Sequence, residues 1–144
     1  MKVVVCLGVI LAAFSVNKTS AKAYTTGTLS NDGHLYSNGH MVINDFVFDG
    51  TYTYYAQADG TPMKDRLTYH PDGVHIIYFD SKGHEVFSNF QYCPSVGYTC
   101  YFDSQGYIYK DQITFVDNEP YYLNADGKME DSGWFRFANG VDYG

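Results

Sequence analysis

Aromatic, polar and glycine residues recur along the chain in a fixed order. At four places a Tyr lies five positions before a Gly, and the four glycines are 23, 23 and 21 residues apart. Such regular spacing predicts a repeat architecture. The four copies span residues 54–60, 77–83, 100–106 and 121–127, and a degenerate copy precedes them at 28–33. A large apolar residue follows each of the four glycines by seven positions: Leu67, Phe90, Ile113 and Trp134.

Each copy predicts a β-hairpin. Its aromatic and aliphatic residues favour a short strand, and the following Asp or Asn, small residues and Gly favour a turn. A second strand is expected after the turn, most clearly at residues 106–111. Strand alternation places the repeat Tyr on one face and its two neighbours, such as residues 77 and 79, on the other. Because a lone hairpin is marginal in water, the sequence predicts an all-β solenoid of about four to five stacked hairpins.

The first 23 residues have the features of a secretory signal peptide. They combine a positive start, a mainly apolar run at residues 3–14 and a small-x-small cleavage pattern at residues 21–23. This predicts a cleaved segment at residues 1–23 and a secreted or surface-associated product without membrane insertion. Residues 24–50 are less regular and are expected to form a degenerate or capping repeat, with the repeat array at 51–144.

The composition argues against several functional classes. Aromatic residues make up 18% of the chain, which is too much for a disordered segment. The net charge is −7, and without residues 1–23, which hold three Lys and no acidic residue, 6 basic and 16 acidic residues remain, a net charge of −10. Because phosphate contacts need clustered Lys and Arg, nucleic acid is not expected as a partner.

Two cysteines lie outside the signal segment. If Val96-Gly97 forms a turn, Cys93 and Cys100 oppose each other across a hairpin. They are then either disulfide-bonded or two buried thiols. A turn could also bring His70 and His75 together, but the sequence offers no third metal ligand nearby. Neither a metal nor a cofactor is therefore expected.

The last copy carries a motif typical of a known family. Residues 121–129 read Tyr-Tyr-Leu-Asn-Ala-Asp-Gly-Lys-Met, and Gly-Trp follows at 133–134. This resembles the cell-wall-binding repeats of Gram-positive surface proteins, which include choline-binding repeats, the glucan-binding repeats of glucansucrases and the repetitive oligopeptides of clostridial toxins. The copies at 77–90 and 100–113 are most similar to the glucan-binding type. The resemblance implies a β-hairpin solenoid that binds a surface polymer and has no catalytic activity.

The chain departs from the choline-binding pattern, in which a Trp precedes the paired aromatic residues and helps to cage a quaternary ammonium. Here Gly-Trp occurs once, and the position before the paired aromatics holds Thr53, Ile76, Thr99 or Pro120. This favours a polysaccharide over choline, because sugar rings stack on Tyr and Phe as well as on Trp. The repeat tyrosines either form stacking platforms or pack between hairpins. The candidate ligand-binding residues are Trp134, Tyr122, Tyr101, Tyr78, Tyr55 and Phe90.

These features predict a secreted carbohydrate-binding repeat protein that attaches non-covalently to cell-wall polysaccharide or extracellular glucan through aromatic stacking. The alternative is a protein-binding adhesin or receptor-binding module that uses the same aromatic faces. An enzyme is not expected, since a glycosidase needs two carboxylates across a cleft and the sequence has no nucleophile or phosphate-binding motif. An open solenoid end could also pair two copies into a homodimer.

Overall fold

The computed structural model describes residues 24–130 and two further short strands. The predicted signal segment and Trp134 lie outside the described residues. In the described part the chain forms 14 strands and no helix, so it contains no helix that could span a membrane. Strands β1–β7 are Thr25–Thr26, Thr28–Leu29, Leu35–Ser37, His40–Met41, Asp45–Phe48, Thr53–Ala56 and Arg66–Tyr69. Strands β8–β14 are Ile76–Phe79, Asn89–Cys93, Tyr98–Phe102, Gln112–Val116, Glu119–Leu123, Phe135–Arg136 and Asp142–Tyr143.

Four successive antiparallel hairpins pair β5 with β6, β7 with β8, β9 with β10 and β11 with β12. Strand β1 adds to β5 in parallel, β2, β3 and β4 form a separate sheet, and β13 pairs with β14. The all-β prediction is confirmed. In each of the four hairpins the repeat Tyr lies opposite a large apolar residue, in the pairs Phe46–Tyr55, Leu67–Tyr78, Phe90–Tyr101 and Ile113–Tyr122.

The hairpins are offset along the chain from the predicted ones. The prediction of a second strand after the repeat Gly, at residues 106–111, is wrong. That segment makes a single bridge, between Phe102 and Ile108, whereas β10 pairs along its whole length with the upstream strand β9. The hydrogen bonds of this segment are divided between two hairpins, since the Tyr109 N–H donates to the carbonyl of Tyr101 in β10 and the Ile108 N–H donates to the carbonyl of Ile76 in the preceding hairpin, both at 2.9 Å.

The repeat motif itself folds into a tight turn after the second strand. The Asp80 carboxylate accepts the backbone N–H groups of Lys82 and His84 at 2.8 and 3.0 Å. Asp103 and Asn124 accept the corresponding N–H groups in the next two copies. The repeat glycines have φ of +83° to +86°, a region that glycine enters without steric cost. The predicted turn, opened by Asp or Asn and closed by Gly, is confirmed.

A recurring backbone hydrogen bond joins each hairpin to the one before it. The N–H two residues after the repeat Gly donates to the carbonyl two residues before the Tyr of the preceding copy. Successive hairpins are therefore in direct contact. The three bonds measure 2.8–2.9 Å and run from Glu85 to Thr53, from Ile108 to Ile76 and from Met129 to Thr99.

The core lies between successive hairpins. The Tyr face of one hairpin packs against the opposite face of the next, so that the ring centroid of Tyr78 lies 6.1 Å from that of Phe102. Phe90 and Tyr121 make the following contact of this kind, at 5.0 Å. Tyr78 and both of its neighbours in β8, Ile77 and Phe79, are buried, so both faces of this strand are covered. The residue after the repeat Tyr is 0% exposed in all four copies: Ala56, Phe79, Phe102 and Leu123.

Candidate functional site

The structure describes five of the six predicted ligand-binding residues. Tyr78 is only 2% exposed, which leaves no ring face for a ligand. Tyr55, Tyr101 and Tyr122 are half-buried, and the Tyr122 hydroxyl donates to Asp111 at 2.8 Å. Phe90 is also half-buried, with its ring edge-on to Tyr101 at a centroid distance of 5.0 Å. For these four residues a binding role stays a prediction, as it does for the sixth, Trp134.

A second set of aromatic residues is far more exposed. One such residue stands near the end of the first strand of each of the four hairpins, nine positions after a Gly, at intervals of 21, 23 and 23 residues. This set was not predicted, although its constant interval from Gly is visible in the sequence. We call these residues the exposed aromatic row. Its members are Phe48, Tyr69, Tyr92 and Phe115, which are 37%, 65%, 54% and 65% exposed.

The row occupies a specific place in the hairpin register. Each member lies directly opposite the position before the paired aromatic residues, where choline-binding repeats carry Trp. Directly opposite residues on antiparallel strands present their side chains to the same face. This chain therefore carries its exposed ring on the first strand of the hairpin rather than on the second. The four pairs are Phe48–Thr53, Tyr69–Ile76, Tyr92–Thr99 and Phe115–Pro120.

Tyr69 borders an apolar cleft between the first two of these hairpins. The cleft has a volume of about 260 Å³ and is also lined by Tyr55, Met63, Pro71 and Phe79. The ring centroids of Tyr55 and Phe79 are 6.4 Å apart. One predicted site residue and one member of the exposed aromatic row thus share a single cavity. Aromatic-lined clefts of this kind are common binding places for small ring-shaped groups.

A charged turn lies beside this cleft. The Asp72 carboxylate contacts Nδ1 of His75 at 2.6 Å and Nδ1 of His70 at 3.5 Å, so the predicted approach of the two histidines is confirmed. The hydrogen bond from His75 and the backbone N–H groups of Val74 and His75 hold the pKa of Asp72 well below its usual range. Among the described residues, no three His, Cys, Asp or Glu side chains are grouped to hold a metal ion.

The two cysteines lie on one face of the β9–β10 hairpin. Four turn residues separate the strands, so Cys93 pairs with Tyr98 and Cys100 pairs with Gln91. The expectation that the cysteines directly oppose each other is therefore wrong, and they are diagonal neighbours. Both are fully buried, and no disulfide joins them in this structure. The contact with Cys100, together with burial, raises the pKa of the Cys93 thiol. A disulfide between them stays a prediction.

This environment predicts slow chemical modification of the reduced, folded protein. Cys93 and Cys100 should react with a thiol reagent at least about a hundredfold more slowly than in denaturant at the same pH, because both side chains are fully buried and the reagent cannot reach them. Rates of thiol titration in native and urea-containing buffer measure this. Fast reaction of the native protein would contradict the burial. A chain isolated without reductant that lacks the mass of two hydrogens would instead establish the predicted disulfide.

The fold of this chain is similar to those of several solved proteins. No family model and no curated protein matches the sequence. The autolysin LytC of Streptococcus pneumoniae, solved with a synthetic peptidoglycan ligand, is 17% identical with a TM-score of 0.62, over 82% of this chain and 27% of that chain. Choline binding protein F of Streptococcus pneumoniae is 22% identical with a TM-score of 0.53, over 83% of this chain and 42% of that chain. At these identities the likeness shows the fold alone.

A third solved structure is more similar in sequence. Truncated alternansucrase of Leuconostoc mesenteroides NRRL B-1355 is 28% identical with a TM-score of 0.59, over 72% of this chain and 10% of that chain. This chain thus spans less than half the length of each of the three proteins. Its structural neighbours are choline-binding repeat proteins and a glucansucrase, and the resemblance of the chain to the choline-binding and glucan-binding repeat family is therefore confirmed.

Proposed function

We propose that this chain binds a polysaccharide, either a cell-wall polymer or an extracellular glucan, through the exposed aromatic row. The observation that carries the proposal is that four consecutive hairpins present an aromatic ring at the same register position, with 37–65% of each residue exposed. Recurrent exposure of large aromatic residues marks an interaction surface. A row that repeats along the chain suits a ligand that repeats as well, as a linear polysaccharide does.

The charge of the chain narrows the choice of polymer. The net charge is −7, and −10 without the predicted signal segment. A protein with this charge repels an anionic polymer, whereas stacking of a neutral sugar ring on Tyr or Phe needs no charge. The charge therefore favours a neutral glucan or a polymer that carries cations.

The order of the hairpins supports multivalent binding. The recurring hydrogen bonds between successive copies are consistent with the predicted solenoid, in which members of the row follow one another at the repeat spacing. Each ring is a weak site, and several sites engaged by one polymer raise the overall avidity. Export through the predicted signal at residues 1–23 would place this surface outside the cell. The chain acts by attachment and performs no catalytic step.

A sugar ring suits the row better than choline does. A quaternary ammonium needs several rings around it, but the positions opposite the row, where choline-binding repeats carry Trp, hold Thr, Ile, Thr and Pro. A saccharide ligand is also supported by alternansucrase, which is 28% identical to this chain and is known in complex with isomaltotriose and isomaltononaose.

Replacing Tyr69 with Ala tests the proposal. The variant is expected to bind glucan roughly two- to tenfold more weakly, because ring stacking worth about 0.5–1.5 kcal/mol is lost. Tyr69→Trp should keep the affinity. Val74→Ala is the control. It shortens a side chain that is 71% exposed in the loop of the same hairpin, outside the row, and the variant should bind like the wild type. Retention on insoluble glucan and on purified cell walls measures the effect.

Two outcomes would count against a carbohydrate ligand. Equal retention of Tyr69→Ala and the wild type, with both shown to be folded, would remove the row from the binding surface. Retention on a protein partner that survives glycosidase treatment would favour the alternative function, a protein-binding adhesin or receptor-binding module.

A further inference from the structure

Successive copies of the repeat contact one another in two different ways. Between the first two hairpins the contact leaves open the apolar cleft of about 260 Å³, which we call the Met63 cleft. The residues 23 positions further along the chain form the corresponding contact between the second and third hairpins. There the counterparts of three lining residues are at most 9% exposed and belong to one core cluster. The corresponding residues are Tyr55 and Tyr78, Met63 and Val86, and Phe79 and Phe102.

Two cysteines complete the closed contact. Cys93 and Cys100 are fully buried in its core cluster, and the positions 23 residues earlier hold His70 and Ile77. The His70 ring is stacked on Phe46 at a centroid distance of 5.2 Å, with an angle of 26° between their planes, and it does not line the Met63 cleft. A small core residue in one copy is thus replaced in the other by a ring that is held outside the cleft.

An open apolar cleft has a cost in stability. The side chains around it lose packing contacts that they would make in a filled core. The closed contact between the second and third hairpins shows that this fold can fill the space. Because proteins keep such exceptions to the local pattern mainly at functional sites, the open cleft is a candidate binding site.

The lining of the Met63 cleft is apolar. Ile77 and Phe79 are 1% and 0% exposed and therefore lie at its base, whereas Tyr55, Met63 and Thr68 are half-buried. Among the described residues that line the cleft there is no Asp, Glu, Lys or Arg, so nothing offsets the cost of removing a charged ligand group from water. A methyl group, by contrast, gains about fourfold in affinity when it moves from water into such surroundings.

The cleft differs from a choline cage. Choline-binding repeats carry Trp before the paired aromatic residues, and the corresponding residues of the two hairpins are Thr53 and Ile76. Neither of them lines the cleft. Phe79 is fully buried and presents no free ring face to a cation. A neutral ligand therefore suits the cleft better than a quaternary ammonium.

We propose that the Met63 cleft binds a methyl-bearing sugar of a polysaccharide. The inference rests on the proposed function in taking the ligand to be a saccharide, and it adds a selective site to the exposed aromatic row. The methyl group lies against Ile77, the sugar ring lies on Tyr55, and the Thr68 hydroxyl bonds to a polar group beside the methyl. Two classes of sugar carry such a methyl group: a 6-deoxyhexose at C6 and an N-acetylhexosamine in its acetamido group.

The apolar base discriminates against glucose. Glucose has a hydroxyl at C6 where 6-deoxyglucose has a hydrogen, so its binding places a hydroxyl against the hydrocarbon of Ile77 and costs free energy. Each ring of the exposed aromatic row, in contrast, accepts the face of any sugar ring. The row then supplies avidity for the polymer, and the cleft selects the kind of sugar.

NMR titration of the folded chain with the free sugars glucose, 6-deoxyglucose and N-acetylglucosamine tests the assignment. At least one methyl-bearing sugar is expected to bind about fourfold or more tightly than glucose, and the sugar that does so identifies the source of the methyl group. The methyl resonances of Met63, Thr68 and Ile77 should shift in that titration. Equal binding of the three sugars, or no shift at these residues, would overturn the proposal. Tighter binding of choline than of either methyl-bearing sugar at these residues would also overturn it.

Filling the cleft gives a second, independent test. Thr68→Leu is expected to lose about tenfold or more in affinity for the preferred sugar, because the larger side chain occupies its space. Gln91→Leu makes the change at the corresponding position of the next copy, where the contact is closed, and should bind the sugar like the wild type. Melting curves establish that both variants are folded. A folded Thr68→Leu variant that binds the sugar as tightly as the wild type would contradict the proposal, and if this variant does not fold, the resonance shifts of the wild type decide.

Retention on insoluble neutral glucan separates failure of the cleft from failure of the row. Thr68 and Tyr69 are adjacent in β7 and point to opposite faces of the hairpin, so Thr68→Leu should keep its glucan retention. Tyr92→Ala, in the third hairpin, should weaken glucan retention and leave sugar binding in the cleft unchanged. If glucan retention depends on Tyr92 but the cleft does not prefer a methyl-bearing sugar, only the cleft assignment is wrong. If the cleft binds its sugar and Tyr92→Ala has no effect, the row is not the binding surface.

Discussion

Replacing Phe102 with Ala is expected to lower the free energy of unfolding by about 3–5 kcal/mol, the usual loss for a buried aromatic side chain. Phe102 is 0% exposed and belongs to a core cluster with Tyr78, Cys93 and Cys100. A domain of this size is stable by only about 5–15 kcal/mol, so the variant should lose a large share of its stability. Urea unfolding followed by circular dichroism measures the loss.

Phe115→Ala is the matched control for this measurement. It removes the same type of side chain from the next hairpin, but from a residue that is 65% exposed. The free energy of unfolding should therefore change by no more than about 0.5 kcal/mol. Equal losses in the two variants would contradict a core that lies between successive hairpins and is closed by the residue after the repeat Tyr.

The repeat unit and its turn could be predicted because their signals are local. Asp80 and Gly83 determine a turn through a side-chain acceptor and a positive φ, and both requirements are visible within one copy. The pairing of the strands was predicted wrongly at residues 106–111. A strand such as β10 has a candidate partner on each side in sequence, and hydrogen bonds to the preceding hairpin, such as the one from Ile108, decide between them.

The repeat carries a further turn signal besides the Asp and Gly positions. The residue just before the first strand of each hairpin has φ of about +50°, a region in which Asn and Asp are enriched. Its N–H donates to the carbonyl of the residue that opens the next repeat turn. This bend starts a new hairpin and explains why the preceding segment cannot continue as a strand. The four residues are Asn44, Asp65, Ser88 and Asp111.

The candidate site was only partly predictable for a physical reason. Tyr78 and Tyr69 stand on the same face of one hairpin, since their partners Leu67 and Ile76 alternate along the strands with residues of the other face. The sequence therefore assigns both tyrosines to one surface. Their exposures of 2% and 65% differ because the next hairpin covers one part of that face and leaves the other open. That coverage depends on tertiary packing and is not encoded in the periodicity of a single strand.

Removing the whole exposed aromatic row is expected to have the largest effect on binding. A variant with Ala at all four positions should lose about 10²- to 10⁴-fold in retention on an insoluble polymer, because multivalent engagement is lost together with each single contact. For an oligosaccharide short enough to touch one ring, each single replacement should weaken binding only a few-fold. Depletion assays measure the loss of binding to the polymer, and calorimetry measures the loss of affinity for the short oligosaccharide. The four positions are Phe48, Tyr69, Tyr92 and Phe115.

The control for this variant removes as many exposed apolar side chains from outside the row. Leu29, Ile43, Val74 and Val96 are 38–71% exposed, and their joint replacement by Ala should leave polymer binding unchanged. Equal loss in both quadruple variants would mean non-specific adsorption through apolar surface rather than stacking at defined positions. If the row variant lost no more affinity for the polymer than for the short oligosaccharide, each ring would bind independently of the others. The regular spacing of the row would then reflect the hairpin repeat alone and not the length of the ligand.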